Sequence, residues 1–155
     1  MFFKNKAITI FLIIAVACFI FICRKKNTIL LLYNYTTNEK ITEFNLPHNL
    51  FSIKFIHSVH KTPLEDYYKV LDKKIYVYKT TYYDFGAGVQ SELNDGEKFY
   101  IGSNSELIVD NINTEIQNLI YVVGTWSDHI LSIDDKEFSL RDICGKNTHV
   151  RFLIQ

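Results

Sequence analysis

Residues 51–70 read FSIKFIHSVHKTPLEDYYKV. In the first half, Phe51, Ile53, Phe55, His57 and Val59 share one side of an extended chain. Lys54, Ile56 and Ser58 share the other, because strand side chains alternate with a period of two. Pro63 then marks a turn, since its ring fixes its own φ and holds Thr62 extended. The pattern predicts a β-hairpin closing around HKTPL, with Val59 opposite Glu65 and His57 opposite Tyr67. In that register Glu65 is a diagonal neighbour of His57, within reach of long side chains.

The same signature recurs along the chain. Runs rich in β-branched and aromatic residues occupy 29–36 (ILLLYNYT), 75–84 (IYVYKTTYYD), 98–101, 106–112, 118–124, 129–133, 137–140 and 149–155. Turn signals stand between them: NDG at 94–96, DD at 134–135 and CGKN at 144–147. This spacing predicts an all-β domain, an antiparallel β-sandwich or partly open barrel of about 8–10 short strands. Stretches near Leu64 could turn instead of extending, and only residues 114–119 and the N-terminus suggest helix. With two prolines and six glycines, no flexible linker divides the chain after residue 26.

The N-terminus is of another kind. Residues 7–23, AITIFLIIAVACFIFIC, carry no charge; Lys4 and Lys6 precede them, and Arg24, Lys25 and Lys26 follow. As a helix they would span roughly 25 Å, short for a hydrocarbon core of about 30 Å but workable with snorkelling basic flanks. A buried soluble helix is a poor alternative, because no face of it is polar. Lipoprotein processing near Cys18 is disfavoured by the apolar FIFIC that follows. The expectation is an uncleaved signal-anchor helix over 1–26 and a β-domain over 27–155. Basic residues on both sides leave the orientation undetermined.

Composition narrows the function. The β-domain has twelve Lys and Arg against seventeen Asp and Glu, a formal charge of −5. Such a surface is a poor match for nucleic acid. Cys144 is the one cysteine outside the anchor, which rules out an intradomain disulfide and a Cys-rich zinc site. It reads as a small core residue.

Several stretches could carry chemistry. His57 and His60, three apart, would chelate a metal on a helix but diverge on a strand. His57 and Ser58 are neighbours on a strand and point apart, which argues against a nucleophile–base pair. His57 with Glu65 is the stronger pairing, either as a buried polar pair that fixes register or as a carboxylate-oriented histidine lining a ligand site. Gly86 and Gly88 follow a strand without opening a phosphate-binding helix. They mark a tight corner or a close backbone approach to a ligand. Trp126, the single tryptophan, with Asp128 and His129 reads as packing or as a polar lip. Asp134, Asp135 and Glu137 lack calcium-loop spacing. The candidate ligand-binding residues are therefore His57, Ser58, Glu65, Gly86, Gly88 and His129. No catalytic residue, metal or cofactor is assigned.

The pattern F-x-x-x-F-I-H-S-V-x-K-T-P-x-E-D (51–66), followed by T-x-Y-x-x-F-G-A-G (80–88), resembles the domain-of-unknown-function family number 1850. His57, Ser58, Val59, Pro63 and Glu65 fit its first motif, and Phe85, Gly86, Ala87 and Gly88 its second. Gln90 departs from the proline that the resemblance leads one to expect after the glycines. The resemblance implies a small extracytoplasmic β-domain of a bacterial cell membrane, accessory to membrane subunits of TRAP-type tripartite transporters of the TAXI branch. It thereby implies an outward-facing domain. The function expected is a non-enzymatic, membrane-anchored partner of a solute transporter, with a small-ligand site around His57 and Glu65. The alternative is a hydrolase, or a metal- or small-ligand-binding module, using the same pair and His129.

Overall fold

The computed structural model describes residues 28–58, 61–84 and 92–155. The anchor expected over 1–26, and His60, Gly86 and Gly88, lie outside the described residues. Among those described, no helix is long and apolar enough to cross a membrane.

The described chain forms two antiparallel sheets. The smaller has four strands in the order β2 (Lys40–Leu46), β1 (Thr28–Asn34), β11 (His149–Ile154) and β8 (Leu119–Val122). The larger has seven: β10 (Lys136–Ser139), β9 (His129–Ile133), β3 (Leu50–Ile56), β4 (Pro63–Leu71), β5 (Lys74–Tyr82), β7 (Leu107–Glu115) and β6 (Lys98–Ile101). The expected all-β class is observed, with eleven strands. The strand that composition concealed is β2, whose KITEFNL is half polar; β4, the expected second arm of the hairpin, begins at a proline. A first-position proline is tolerated because it removes no hydrogen bond from the strand interior.

The helix expected over 114–119 is absent. Thr114 and Glu115 instead pair with Val77 and Tyr76 in the β5–β7 ladder, so a tertiary partner overrides local preference. The helix in the described residues is a short one, α1 (Leu140–Cys144), N-capped by the Ser139 hydroxyl accepting from Asp142 N–H.

The β3–β4 hairpin also differs from expectation. Ile56 pairs with Pro63, Lys54 with Glu65 and Ile53 with Asp66. Backbone bonds from His57 N–H to Thr62 O (2.8 Å) and from Lys61 N–H to His57 O (2.9 Å) close the turn before the proline. Lys61 adopts a φ of 59° there. The observed and expected pairings differ by an odd number of residues, which moves every β4 side chain to the other face. Leu64, Asp66, Tyr68 and Val70 face inward with Phe51, Ile53 and Phe55.

The core lies between the sheets. Leu30 and Leu32 of β1 and Val150 and Phe152 of β11 oppose Phe51 and Ile53 of β3 and Leu131 of β9, all buried. The Phe51 ring stacks on Tyr68 (centroids 4.9 Å apart) and lies parallel to Phe152 (6.3 Å). On β5 the inward series Ile75, Val77 is interrupted at Tyr78, an extra residue between the pairs Tyr68–Val77 and Tyr67–Lys79. Such a bulge shifts the phase of a strand, so Thr80 and Tyr82 face inward after it. Phe152→Ala should cost about 3–5 kcal/mol, the usual loss for truncating a buried aromatic, read as a lowered urea midpoint with an unchanged m-value.

Candidate functional site

At one end of the sandwich the apolar filling stops and a cavity of about 610 Å3 opens. It lies beyond the C-terminal ends of β3 and β8, the start of β4 and the end of β5. Its walls include Phe55, Leu64, Tyr82 and Val109, and its polar lining includes Asp66, Thr80, Ser127 and His129. Trp126 stands at the rim, 60% exposed, with the Lys61 ammonium 4.0 Å above its ring.

Asp66 is the innermost charge. Its two oxygens accept from Thr80 Oγ1 (2.8 Å) and from the Tyr121 hydroxyl (2.9 Å). Tyr121 comes from β8 of the opposite sheet. Its proton goes to Asp66, so the 2.8 Å contact with the Tyr68 hydroxyl must have Tyr68 as donor. Burial raises the Asp66 pKa above its ordinary value, against the lowering effect of the three hydroxyls. Burial and the neighbouring carboxylate also raise both tyrosines, which stay protonated.

The loop from β8 to β9 forms the outer wall and is fixed at several points. Ser127 Oγ accepts from Ile56 N–H (2.9 Å) and donates to Asp128 O (3.1 Å). The Asp128 carboxylate accepts from Ser139 Oγ (2.6 Å) and Arg141 N–H (3.0 Å), tying the loop to the start of α1. Burial alone would raise Asp128, but the Ser139 hydroxyl, the backbone N–H groups of Arg141 and His129, and the Arg141 charge outweigh it and lower its pKa. Gly124 is required by space: a Cβ there would lie 2.5 Å from Ser127 O.

His129 is 9% exposed, stacked on Phe55 at 4.8 Å and edge-on to Tyr121 at 5.5 Å. Its Nδ1 accepts from Gly124 N–H at 3.4 Å, so the neutral ring carries its proton on Nε2. Burial pushes its pKa below the ordinary 6.5, with the Arg141 charge adding to this and Asp128 opposing it.

Three of the expected site residues, His57, Ser58 and His129, line this cavity. Ser58 reaches it beside His57 because β3 ends at Ile56 and alternation no longer applies. Glu65 does not. It sits on the opposite face of the sheet, accepting from Ser52 Oγ at 2.6 Å, so the His57–Glu65 pair is not assembled. The inward carboxylate is Asp66, which the expected register had turned outward. The spacing of Leu64, Tyr68 and Val70, apolar residues two and four apart, carried the signal for it. Cys144 packs against the core, and burial pushes its thiol up to about 11, as befits an inert cysteine. Among the described residues no group of three or more His, Cys, Asp or Glu could hold a metal ion.

A family model described as a domain of unknown function (DUF1850) matches residues 51–140, more than half of the chain. The chain belongs to this family. The match runs from β3 to the first residue of α1 and so contains every described residue that lines the cavity. No curated protein and no solved structure matches the chain.

Gly124→Ala should destabilise the domain by about 1–3 kcal/mol, the usual cost of overpacking, because the clash is with backbone that must move. A thermal melt checks it. His129 holds its proton less tightly folded than unfolded, so its contribution to stability is full above pH 6.5 and falls as pH drops from there toward the folded pKa. His129→Phe should lose that slope, seen by comparing denaturation of the two chains across pH 5 to 7.5.

Proposed function

We propose that this chain is a non-enzymatic, ligand-binding domain held at the outer face of a bacterial membrane by residues 1–26, and that it acts as an accessory of a TRAP/TAXI-type solute transporter. The single observation that carries the binding part is the cavity with Asp66 inside and Trp126 at its rim. Its volume falls in the range of about 300–1,000 Å3 typical of small-molecule sites, and apolar walls with a few convergent polar groups are their usual form. The anchoring part is supported by the uncharged run at 7–23 and its basic flanks. The transporter part is supported by the family resemblance.

A hydrolase is a weaker reading. The Ser127 hydroxyl is already engaged by Ile56 N–H and Asp128 O, so it is not presented to a base. The histidine–carboxylate pair that such an enzyme would use is divided between the two faces of a sheet.

The test is native mass spectrometry of the full chain extracted from its own membranes. A small molecule should co-purify with the unaltered protein and be absent from Val109→Phe, which fills the cavity from β7. Extraction without any retained small molecule would remove the binding reading. In-membrane cross-linking tests the other half: the expected product contains a multi-pass transport subunit, and its absence would remove the transporter role.

A further inference from the structure

The hydroxyl chain around Asp66 has a direction. Tyr68 donates to Tyr121, Tyr121 donates to Asp66, and Thr80 donates to the other Asp66 oxygen. The phenolic proton of Tyr121 and the Thr80 hydroxyl proton are therefore both spent on the carboxylate. An ionised carboxylate offers about four acceptor positions, so Asp66 retains lone pairs and presents no proton. A ligand group reaching it must be a donor.

Charge points the same way. Among the described lining residues Asp66 is the carboxylate, none is a lysine or arginine, and the histidines are His57 and His129. Lys61 lies against Trp126 on the rim, outside that lining. His129 is neutral in its buried position and adds no positive charge. Among the described residues Asp66 is bonded by hydroxyls and by no cation, and buried carboxylates are ordinarily paired with one. At Asp66 itself an anionic ligand would meet lone pairs and a like charge. An ammonium group would meet an opposite charge in a site screened from water, where the attraction is strongest. The remaining wall, formed by Phe55, Leu64 and Val109, suits hydrocarbon or an aromatic ring.

We propose that the cavity takes a small organic amine, with its ammonium on Asp66 and its apolar part against Phe55, Leu64 and Val109. The inference rests on the ligand-binding reading and names the chemical class of that ligand. Burial raises the Asp66 pKa in the empty cavity, and a bound cation would bring it back down.

The chain supplies its own reporter, because its single tryptophan, Trp126, lines the cavity. Three probes of nearly one shape separate the possibilities: 2-phenylethylamine, 2-phenylethanol and 3-phenylpropionate. Each is titrated into the full chain at pH 7.5 with Trp126 emission as readout. The amine should bind about 10- to 100-fold more tightly than the alcohol, the margin expected for a hydrogen bond to a charged group, and the carboxylate should bind least. Asp66→Asn, whose amide can still bond both hydroxyls, should abolish the preference. Equal binding of amine and alcohol, tighter binding of the carboxylate, an unchanged preference in Asp66→Asn, or no response to any probe would overturn the amine assignment. The comparison of probes on the unaltered chain decides the matter even if Asp66→Asn folds poorly. A neutral or acidic small molecule retained in the native mass spectrum would overturn this inference and leave the binding domain standing. Loss of both results would remove the binding domain itself.

Discussion

One polar strut crosses the interior of this sandwich: Tyr68 to Tyr121 to Asp66, with Thr80 closing the far side. Tyr121 belongs to the four-stranded sheet and the other three to the seven-stranded one. The strut marks where the apolar core ends. On one side Phe51, Phe152, Leu30 and Leu131 fill the space between the sheets; on the other the space is left open. Buried hydrogen-bonded networks of this kind specify one arrangement more sharply than they add stability, because each member loses its partner if a strand slips. A register shift of one residue in β4 would bury Glu65 and Tyr67 in place of Asp66 and Tyr68. It would leave Tyr121 and Thr80 without their acceptor.

The outer wall depends on the strut less directly. The loop between β8 and β9 is short of regular structure, yet its Ser127 and Asp128 have fixed partners. Ser127 replaces the missing ladder partner of Ile56, and Asp128 serves the beginning of α1. These bonds hold His129 where its ring can stack on Phe55. The cavity is thus framed by rigid elements on its core side and by a pinned loop on its solvent side. That division is common in binding sites, since a stable scaffold positions residues that loops supply.

The fold class was legible because alternation and turn chemistry are local properties. FSIKFI and IYVYKTTY announce themselves in single strands, and the DD at 134–135 lies at a hairpin with Asp134 at a φ of 52°. Parity was harder to read. Whether Asp66 or Glu65 faces inward depends on where the turn closes, and a left-handed Lys61 competes with a proline two positions on. The bulge at Tyr78 concealed Thr80 in the same way, since simple alternation from Ile75 would have turned it outward. Tyr121 could not be found from spacing at all: its role is set by a strand in the other sheet, 55 residues from Asp66. His129 was legible as a histidine within an apolar run.

The arrangement of the termini has a consequence for orientation. Thr28 pairs with Leu46, and Ile29 exchanges backbone bonds with Gln155, so the chain comes into the sandwich at that pole. Along the same sheet, Val122 pairs with His149 and Asn34 with Val150 at the other pole, where the cavity loop begins. Strand β1, seven residues long, separates the two by about 20 Å at the usual rise per residue. A domain tethered through the residues before Thr28 would therefore stand with its opening directed away from the tether.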